Sequence, residues 1–374
     1  MSKKLPSPYD KCLLFLCLAI GLCTLAVSET PFPDPLLLEN GQRVETREDW
    51  AMRRNEMRKM LLRYQYGRIP SVPVPVVLCE VLEEEIQNDG VTEFRALRLA
   101  IGSENPFPVR VEIYLPAKGT GPHPVILRAG RGSHIIEEIN QRGYMYACYE
   151  NRDFDPDILG VDKVGPAQAM FPEYDWGSLA VWAWGASRVL DYLLTLPEVD
   201  PARVVITGHS RMGKTALLAG ALDERFAVVV PNGSGCGGAA AYRRYGPNSE
   251  TLELITRPSR FAAWFTKDFR QFEDKEAELP FDQHFLRALV APRPVLSTDA
   301  LGDLWANPIG TAAAYREAQP VFDFLGVPEN NAMHFREGEH DQLPEDFRVL
   351  LDFADHHLFG RPLAFTYNQG PDEE

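Results

Sequence analysis

The feature that most narrows what this chain can fold into is Val204-Val205-Ile206, which reads as a buried strand. It runs straight into Gly208-His209-Ser210-Arg211-Met212-Gly213-Lys214 and then an Ala- and Leu-rich helix. A serine flanked by glycines on a sharp turn from strand to helix is a nucleophile elbow, because the strained turn projects the hydroxyl above the sheet edge. The usual spacing is G-x-S-x-G. Here Met212 stands where the second glycine belongs, and Gly213 follows one place late. The plainer reading, a turn whose serine merely caps the helix, asks for nothing further along the chain. An elbow asks for an acid and then a histidine.

Strands and helices alternate around this turn. Pro124 to Leu127, Tyr144 to Tyr149, Ala227 to Val230 and Pro294 to Thr298 are short apolar runs. Gly177 to Leu196 and Pro344 to Leu358 read as helices, the first with Trp182, Ala186, Val189, Leu190 and Leu193 facing the core. The alternation predicts an α/β fold of the α/β-hydrolase type, a mostly parallel central sheet sandwiched between helices in three layers. Upstream, Thr46 opens a capping-box-like T-R-E-D, and Trp50 to Tyr66 reads as an amphipathic prologue helix with Met57, Leu61 and Tyr64 on one face. Val109, Val111, Ile113 and Leu115 alternate with Arg110, Glu112 and Tyr114, the period of a half-buried strand. The segment 243–278 is polar and charged with scattered aromatics, so it is either an insertion over the sheet or a solvated loop. Residues 29–374 are therefore expected to form one α/β-hydrolase domain with a helical prologue and an insertion near 243–278.

Residues 1–28 read as an export signal. Lys3, Lys4 and Lys11 precede an apolar run from Leu13 to Val27, and Ala26-Val27-Ser28 supplies the small residues that a signal peptidase accepts. The run is short for a membrane span. The expected mature chain is secreted or periplasmic, without stable membrane association, and monomeric. The whole chain holds 38 basic and 53 acidic residues, a formal charge of −15. Loss of three lysines and one aspartate with the signal would make it more acidic still, which excludes a nucleic-acid backbone as partner. Cys79, Cys148 and Cys236 remain, an odd number that reads as buried thiols rather than a disulfide framework. No Cys/His spacing suits zinc. Neither a metal nor another cofactor is expected.

His340, in the polar run Arg336-Glu337-Gly338-Glu339-His340-Asp341 before the last helix, stands where the base of this fold belongs. His334 falls in a strand-like run and competes less well, and His209 adjoins the serine, so its side chain should point elsewhere and it makes a poor base. His356 and His357 belong to the last helix. For the acid, Asp303 follows the run Pro294 to Thr298, with Asp299 nearer the strand end as its rival. Either would hold the imidazole in the correct tautomer.

The run GHSRMGK, the SGCGGAA at Ser234 to Ala240, LPFDQH at Leu279 to His284, APRPVL at Ala291 to Leu296, Asp303-Leu304-Trp305 and REGEHD at Arg336 to Asp341 resemble the glucuronoyl esterases of carbohydrate esterase family 15. The likeness extends to the prologue and to YDWGSLAVWAWG at Tyr174 to Gly185. It implies Ser210 as nucleophile, His340 as base, and Arg211 as a stabiliser of the oxyanion beside backbone amides. It further implies that Lys214 and Glu250 bind sugar hydroxyls and that Trp305 lines a uronate site.

Two departures stand out. Many members of the family place the acid as a glutamate 23 residues after the serine, which here is Gly233. The resemblance to bacterial-type members implies that the role passes to a carboxylate after the later strand, the place that Asp303 occupies. The loop Arg128-Ala129-Gly130-Arg131-Gly132, where a second oxyanion amide is expected, carries two unexpected arginines. The resemblance implies a polysaccharide or small-molecule uronate ester as substrate. The alternatives are an acetyl-xylan or other carbohydrate acyl esterase, and a carbohydrate-binding protein that has lost its chemistry.

Overall fold

A computed structural model describes residues 31–374 except 120, 133, 159, 161–163, 364 and 372–374. The expected signal, 1–28, lies outside the described residues. Phe32–Glu374 form one compact unit. Among the described residues its sheet has nine strands: β1 (Val76–Gln87), β2 (Thr92–Ile101), β3 (Phe107–Pro116), β4 (His123–Arg128), β5 (Met145–Tyr149), β6 (Val199–His209), β7 (Val228–Asn232), β8 (Val295–Ala300) and β9 (Asn331–Arg336). Their spatial order is β1-β2-β3-β5-β4-β6-β7-β8-β9. From β5 to β9 every neighbouring pair is parallel, whereas β1, β2 and β3 join as an antiparallel flank.

The helices are α1 (Arg47–Leu61), α2 (Ile136–Gln141), α3 (Pro166–Met170), α4 (Ser178–Leu193), α5 (Arg211–Leu222), α6 (Leu252–Thr256), α7 (Gln283–Ala288), α8 (Pro308–Leu325) and α9 (Pro344–Phe359). Strand side chains alternate between two cores. Val204 and Ile206 of β6 join the core shared with α1, α4, α5, α7 and α8, while Val205 joins the core shared with α2 and α9. A sheet buried on both faces between helices is the three-layer arrangement expected. Among the described residues no helix is long and apolar enough to cross a membrane.

Several local expectations need correction. The prologue does not continue as one α-helix to Tyr66. The Thr46–Asp49 capping box starts α1, which ends at Leu61, and Leu62–Tyr66 form a π-helical turn closed by Gly67. An added Cβ at Gly67 would meet the Asp175 carbonyl oxygen, so the chain needs glycine to turn there. Trp50, Met57 and Leu61 of α1 are buried, whereas Tyr64, in the widened turn, is buried only in part. Tyr66 is fully buried instead, and its hydroxyl donates to the Gly237 carbonyl at 3.0 Å.

The strand β3 is not half-buried. Glu112 and Tyr114 lie inside as well, because β5 pairs along the edge of β3, α2 packs against it, and Arg110 and Arg131 pair with the Glu112 carboxylate. Cys79 is not buried: it sits exposed on β1, while Cys148 and Cys236 are buried, and all three are free thiols. The segment 243–278 is not a solvated loop, since Phe261, Trp264, Phe265, Phe269 and Phe272 all enter the main core. It folds over the sheet through α6 and short 3-10 turns.

Candidate active site

At the end of β6 the backbone of Ser210 takes φ 58°, ψ −126°, a conformation non-glycine residues rarely adopt. Its amide donates to the Asn232 carbonyl on β7 at 2.9 Å, which anchors the strained turn to the neighbouring strand. The shifted glycine has a steric reason. A Cβ at Gly213 would stand 2.6 Å from the Asn232 carbonyl oxygen, so this position must be bare for α5 to pass β7. Met212 faces the other way, against Gly130, where a Cβ would meet its Cγ at 2.8 Å.

His340 follows β9 and Asp303 follows β8, and their loops are hydrogen-bonded to each other. Leu301 N–H donates to the Arg336 carbonyl at 2.9 Å, and Gly302 N–H to the Gly338 carbonyl at 3.0 Å. The buried Arg336 guanidinium bonds both Asp346 oxygens at 3.1 Å and the Asp341 carbonyl at 2.5 Å, pinning the histidine loop to the start of α9. His340 Nδ1 lies 2.6 Å from Asp303 Oδ2, and Nε2 lies 2.9 Å from Ser210 Oγ. Asp303 cannot donate when ionised, so Nδ1 carries the proton and Nε2 accepts from the serine hydroxyl. The second Asp303 oxygen accepts from Ala306 N–H at 3.1 Å, fixing the carboxylate's orientation.

The rival acid is elsewhere. Strand β8 continues to Ala300, which places Asp299 inside the sheet with both oxygens buried and unpartnered, its carboxyl pushed up to about 8 chiefly by desolvation. His334 lies in β9, edge-on to Tyr367 at 5.9 Å between ring centroids.

Arg211 Nη1 contacts both oxygens of Asp157 at 2.9 and 3.0 Å, and its guanidinium lies 5.0 Å from the Trp264 ring centroid. Asp157 was not anticipated, because it lies in an aperiodic loop with no motif to mark it. Lys214 and Glu250 meet each other: Nζ donates to Glu250 Oε2 at 2.6 Å and to the Cys236 carbonyl at 2.5 Å. Both are buried. Desolvation raises the Glu250 carboxyl while the Lys214 charge draws it back down. The glycines of SGCGGAA make room for this pair, since a Cβ at Gly235 would stand 2.8 Å from Glu250 Oε2. Trp305 is partly buried, with the Arg260 guanidinium 5.2 Å from its ring centroid, and its carbonyl accepts from Glu250 N–H at 3.0 Å.

The unexpected arginines of the 128–132 loop also have partners. Arg128 Nη1 donates to the Gly130 and Arg131 carbonyls at 3.1 and 2.6 Å, and Nε reaches Gln342 Oε1 at 3.3 Å. One guanidinium thus joins this loop to the segment just after His340. Arg131, itself exposed, pairs with the buried Glu112 carboxylate at 2.7 Å.

A hydroxyl on a strained strand-to-helix turn, bonded through an imidazole to a buried carboxylate at the C-terminal edge of a parallel sheet, defines a serine carboxylic ester hydrolase of the α/β-hydrolase class. A family model described as "Glucuronyl esterase, fungi" matches residues 102–326. The chain is 32% identical to carbohydrate esterase MZ0003 from an unknown prokaryotic organism, over 89% of this chain and 91% of that one. It belongs to the glucuronoyl esterases, carbohydrate esterase family 15. A 4-O-methyl-glucuronoyl methylesterase of Phanerochaete carnosa is 28% identical, over 91% of this chain and 84% of that one. Among solved structures, a carbohydrate esterase family 15 glucuronoyl esterase from Caldicellulosiruptor kristjansonii superposes with a TM-score of 0.81 at 31% identity, covering 92% of this chain and 94% of that one. A serine-to-alanine mutant of the Sporotrichum thermophile glucuronoyl esterase, solved with methyl 4-O-methyl-β-D-glucopyranuronate, superposes at 0.75 with 26% identity, covering 90% of this chain and 89% of that one.

Proposed function

We propose that this enzyme hydrolyses esters between the carboxyl group of a 4-O-methyl-glucuronic acid unit and an alcohol, as in links between glucuronoxylan and lignin. The observation that carries the reading is the unbroken line Ser210 Oγ–His340–Asp303 in a chain of this family. Ser210 Oγ attacks the uronoyl carbonyl while His340 Nε2 takes its proton. The tetrahedral oxyanion collapses, His340 returns the proton to the departing alcohol, and an acyl-enzyme remains. Water, deprotonated by the same nitrogen, then releases the uronate and restores the serine. Asp303 orients the imidazole and stabilises its transient positive charge.

Arg211 supplies positive charge at the developing oxyanion, with Asp157 and Trp264 fixing its guanidinium. Lys214, Glu250 and Trp305 form the sugar-binding side of the site. We further infer that the chain acts outside the cytoplasm after loss of residues 1–28; N-terminal sequencing of protein recovered from the culture medium or periplasm should begin at Glu29.

The reading is tested by comparing hydrolysis of methyl or benzyl glucuronate with release of acetate from acetylated xylan. The uronate ester should be cleaved far faster, and Ser210→Ala should abolish the reaction together with labelling by a fluorophosphonate. Preference for acetyl groups would replace this substrate with an acyl one. Full activity in Ser210→Ala would overturn the mechanism.

A further inference from the structure

His209 takes no part in the mechanism above, yet its side chain does not point away from the site as expected, because the strand-end bond to Asn232 holds it against the group on which the mechanism turns. Its ring centroid lies 4.6 Å from that of His340, with the planes inclined by 42°. It is the last residue of β6, in parallel register with Asn232 on β7, which is in turn in register with Thr298 on β8. A rung of side-chain hydrogen bonds crosses these strand ends. Asn232 Nδ2 donates to the Thr298 carbonyl and hydroxyl oxygens at 3.0 and 2.9 Å. With its amide nitrogen committed there, Asn232 presents Oδ1 to His209 Nδ1 at 2.7 Å. His209 Nδ1 must therefore be the protonated nitrogen, and the ring is clamped in one orientation.

The groups facing His209 are Asn232 from β7, His340 from the loop after β9, Asp303 from the loop after β8, and Arg128 from β4. Burial keeps the imidazole uncharged, pushed down to about 4. A neutral ring is what this position requires. A cation here would oppose the charge that His340 acquires at each turnover, and a small side chain would leave one face of the base unsupported.

We propose that His209 is a positioning residue: an imidazole, clamped by Asn232 and Thr298, that walls one face of His340 and holds its ring in line between Ser210 and Asp303. The proposal rests on the assignment of His340 as base. The side chain of residue 209 is thereby separated from its neighbour's role: Ser210 reacts, and His209 keeps the base in register. Misplacement by ~1 Å of a reacting group costs on the order of a hundredfold in rate, so the loss of the wall is expected to appear in turnover rather than in binding.

The test uses the full-length mature enzyme on a methyl or benzyl glucuronate. His209→Ala should lower kcat by about ten- to a hundredfold with KM changed less than about twofold. It should also broaden or remove the far-downfield proton resonance of the His340 Nδ1–H bonded to Asp303. His209→Phe, which keeps a flat ring but loses the bond to Asn232, should recover most of kcat and the resonance. Unchanged kcat and resonance in His209→Ala would overturn the proposal, as would a rise in KM with kcat intact. If His209→Ala does not fold, His209→Phe decides alone: a fall in kcat of more than about tenfold counts against the wall. Ser210→Ala run alongside separates the two readings, since its activity would remove the assigned mechanism, whereas an inert Ser210→Ala with a fully active His209→Ala removes only this one.

Discussion

The loops leaving β7 and β8 lie side by side above neighbouring strands, and both approach the same two histidines. After β8 the chain puts Asp303, whose carboxylate meets His340 at 2.6 Å. After β7 it puts Gly233, where an added Cβ would stand 3.5 Å from Asp303 Oδ2 and 3.3 Å from the His209 ring. A side chain at 233 would thus enter the space that the Asp303 carboxylate already serves. The imidazole needs one oxygen at Nδ1, and either strand end can aim at that point. The difference lies in the support. The Asp303 loop is stitched to the His340 loop through Leu301 and Gly302, whereas Gly233 is held by its own amide, which donates to the Thr298 carbonyl at 2.9 Å.

Removing the carboxylate from the β8 loop should produce the largest effect. Asp303→Asn keeps the shape but favours the wrong tautomer, and kcat is expected to fall on the order of 10³- to 10⁴-fold with KM little changed. A fall of less than tenfold in steady-state assays would mean that the two loops share the work. The comparison is sharpened by moving the acid across. Gly233→Glu in an Asp303→Ala background should regain at least about tenfold of the lost kcat, because the new carboxylate starts beside the vacated position. Its backbone φ of +49° should cost roughly 1–2 kcal/mol of stability, read by urea unfolding. Failure to regain any activity would show that the stitching, and not the reach, selects the β8 loop.

Asp299, four residues before Asp303, tests whether a carboxylate in β8 matters merely by being near. Its folded-state pKa is raised from 3.8 to about 8. The fold holds its proton while the unfolded chain releases it, so stability is lost as pH rises from about 4 towards 8. Asp299→Asn should remove that slope and raise Tm by several degrees at pH 8 but little at pH 4, with kcat within about twofold. A large loss of kcat would extend the catalytic carboxylate work into the strand. The smallest effect is expected far from both loops, at His284, whose buried ring donates to the Pro33 carbonyl at 2.8 Å. Burial pushes it from 6.5 down to about 4, so it stabilises the fold above pH 6.5 and loses that contribution as pH falls towards 4. His284→Gln should flatten this part of the stability curve in melts at pH 7 and pH 4.5 while leaving both loops untouched.

What could be read from the residues was what repeats or sits at a turn. The elbow, the strand-end loops with Asp303 and His340, and the buried helix α4 all carry spacing that depends on local geometry. The residue pattern does not separate the pairing partners β1 and β2. β1 reads Val-Val-Leu-Cys-Glu-Val-Leu-Glu-Glu-Glu-Ile-Gln and is exposed along most of its length, so it has no alternation to betray it. Asp157, Arg128 and the His209–Asn232–Thr298 rung act through contacts between segments distant in the chain, and no pattern within any one segment announces them. The choice between Asp299 and Asp303 turned on how far β8 continues, a boundary that neighbouring strand β9 sets by pairing out to Arg336.

The same acidic run in β1 has a bearing on how molecules meet. Glu80, Glu83, Glu84 and Glu85 lie on the outermost strand of the sheet, and only two of them are drawn inward, Glu80 towards Arg98 and Glu84 towards Arg95 on β2. A second molecule adding its own β1 would bring two such glutamate rows together, with repulsion mounting at each step of the pairing. The margin of the sheet is therefore a built-in stop, a safeguard in the sequence itself against molecules joining edge to edge and growing into fibres.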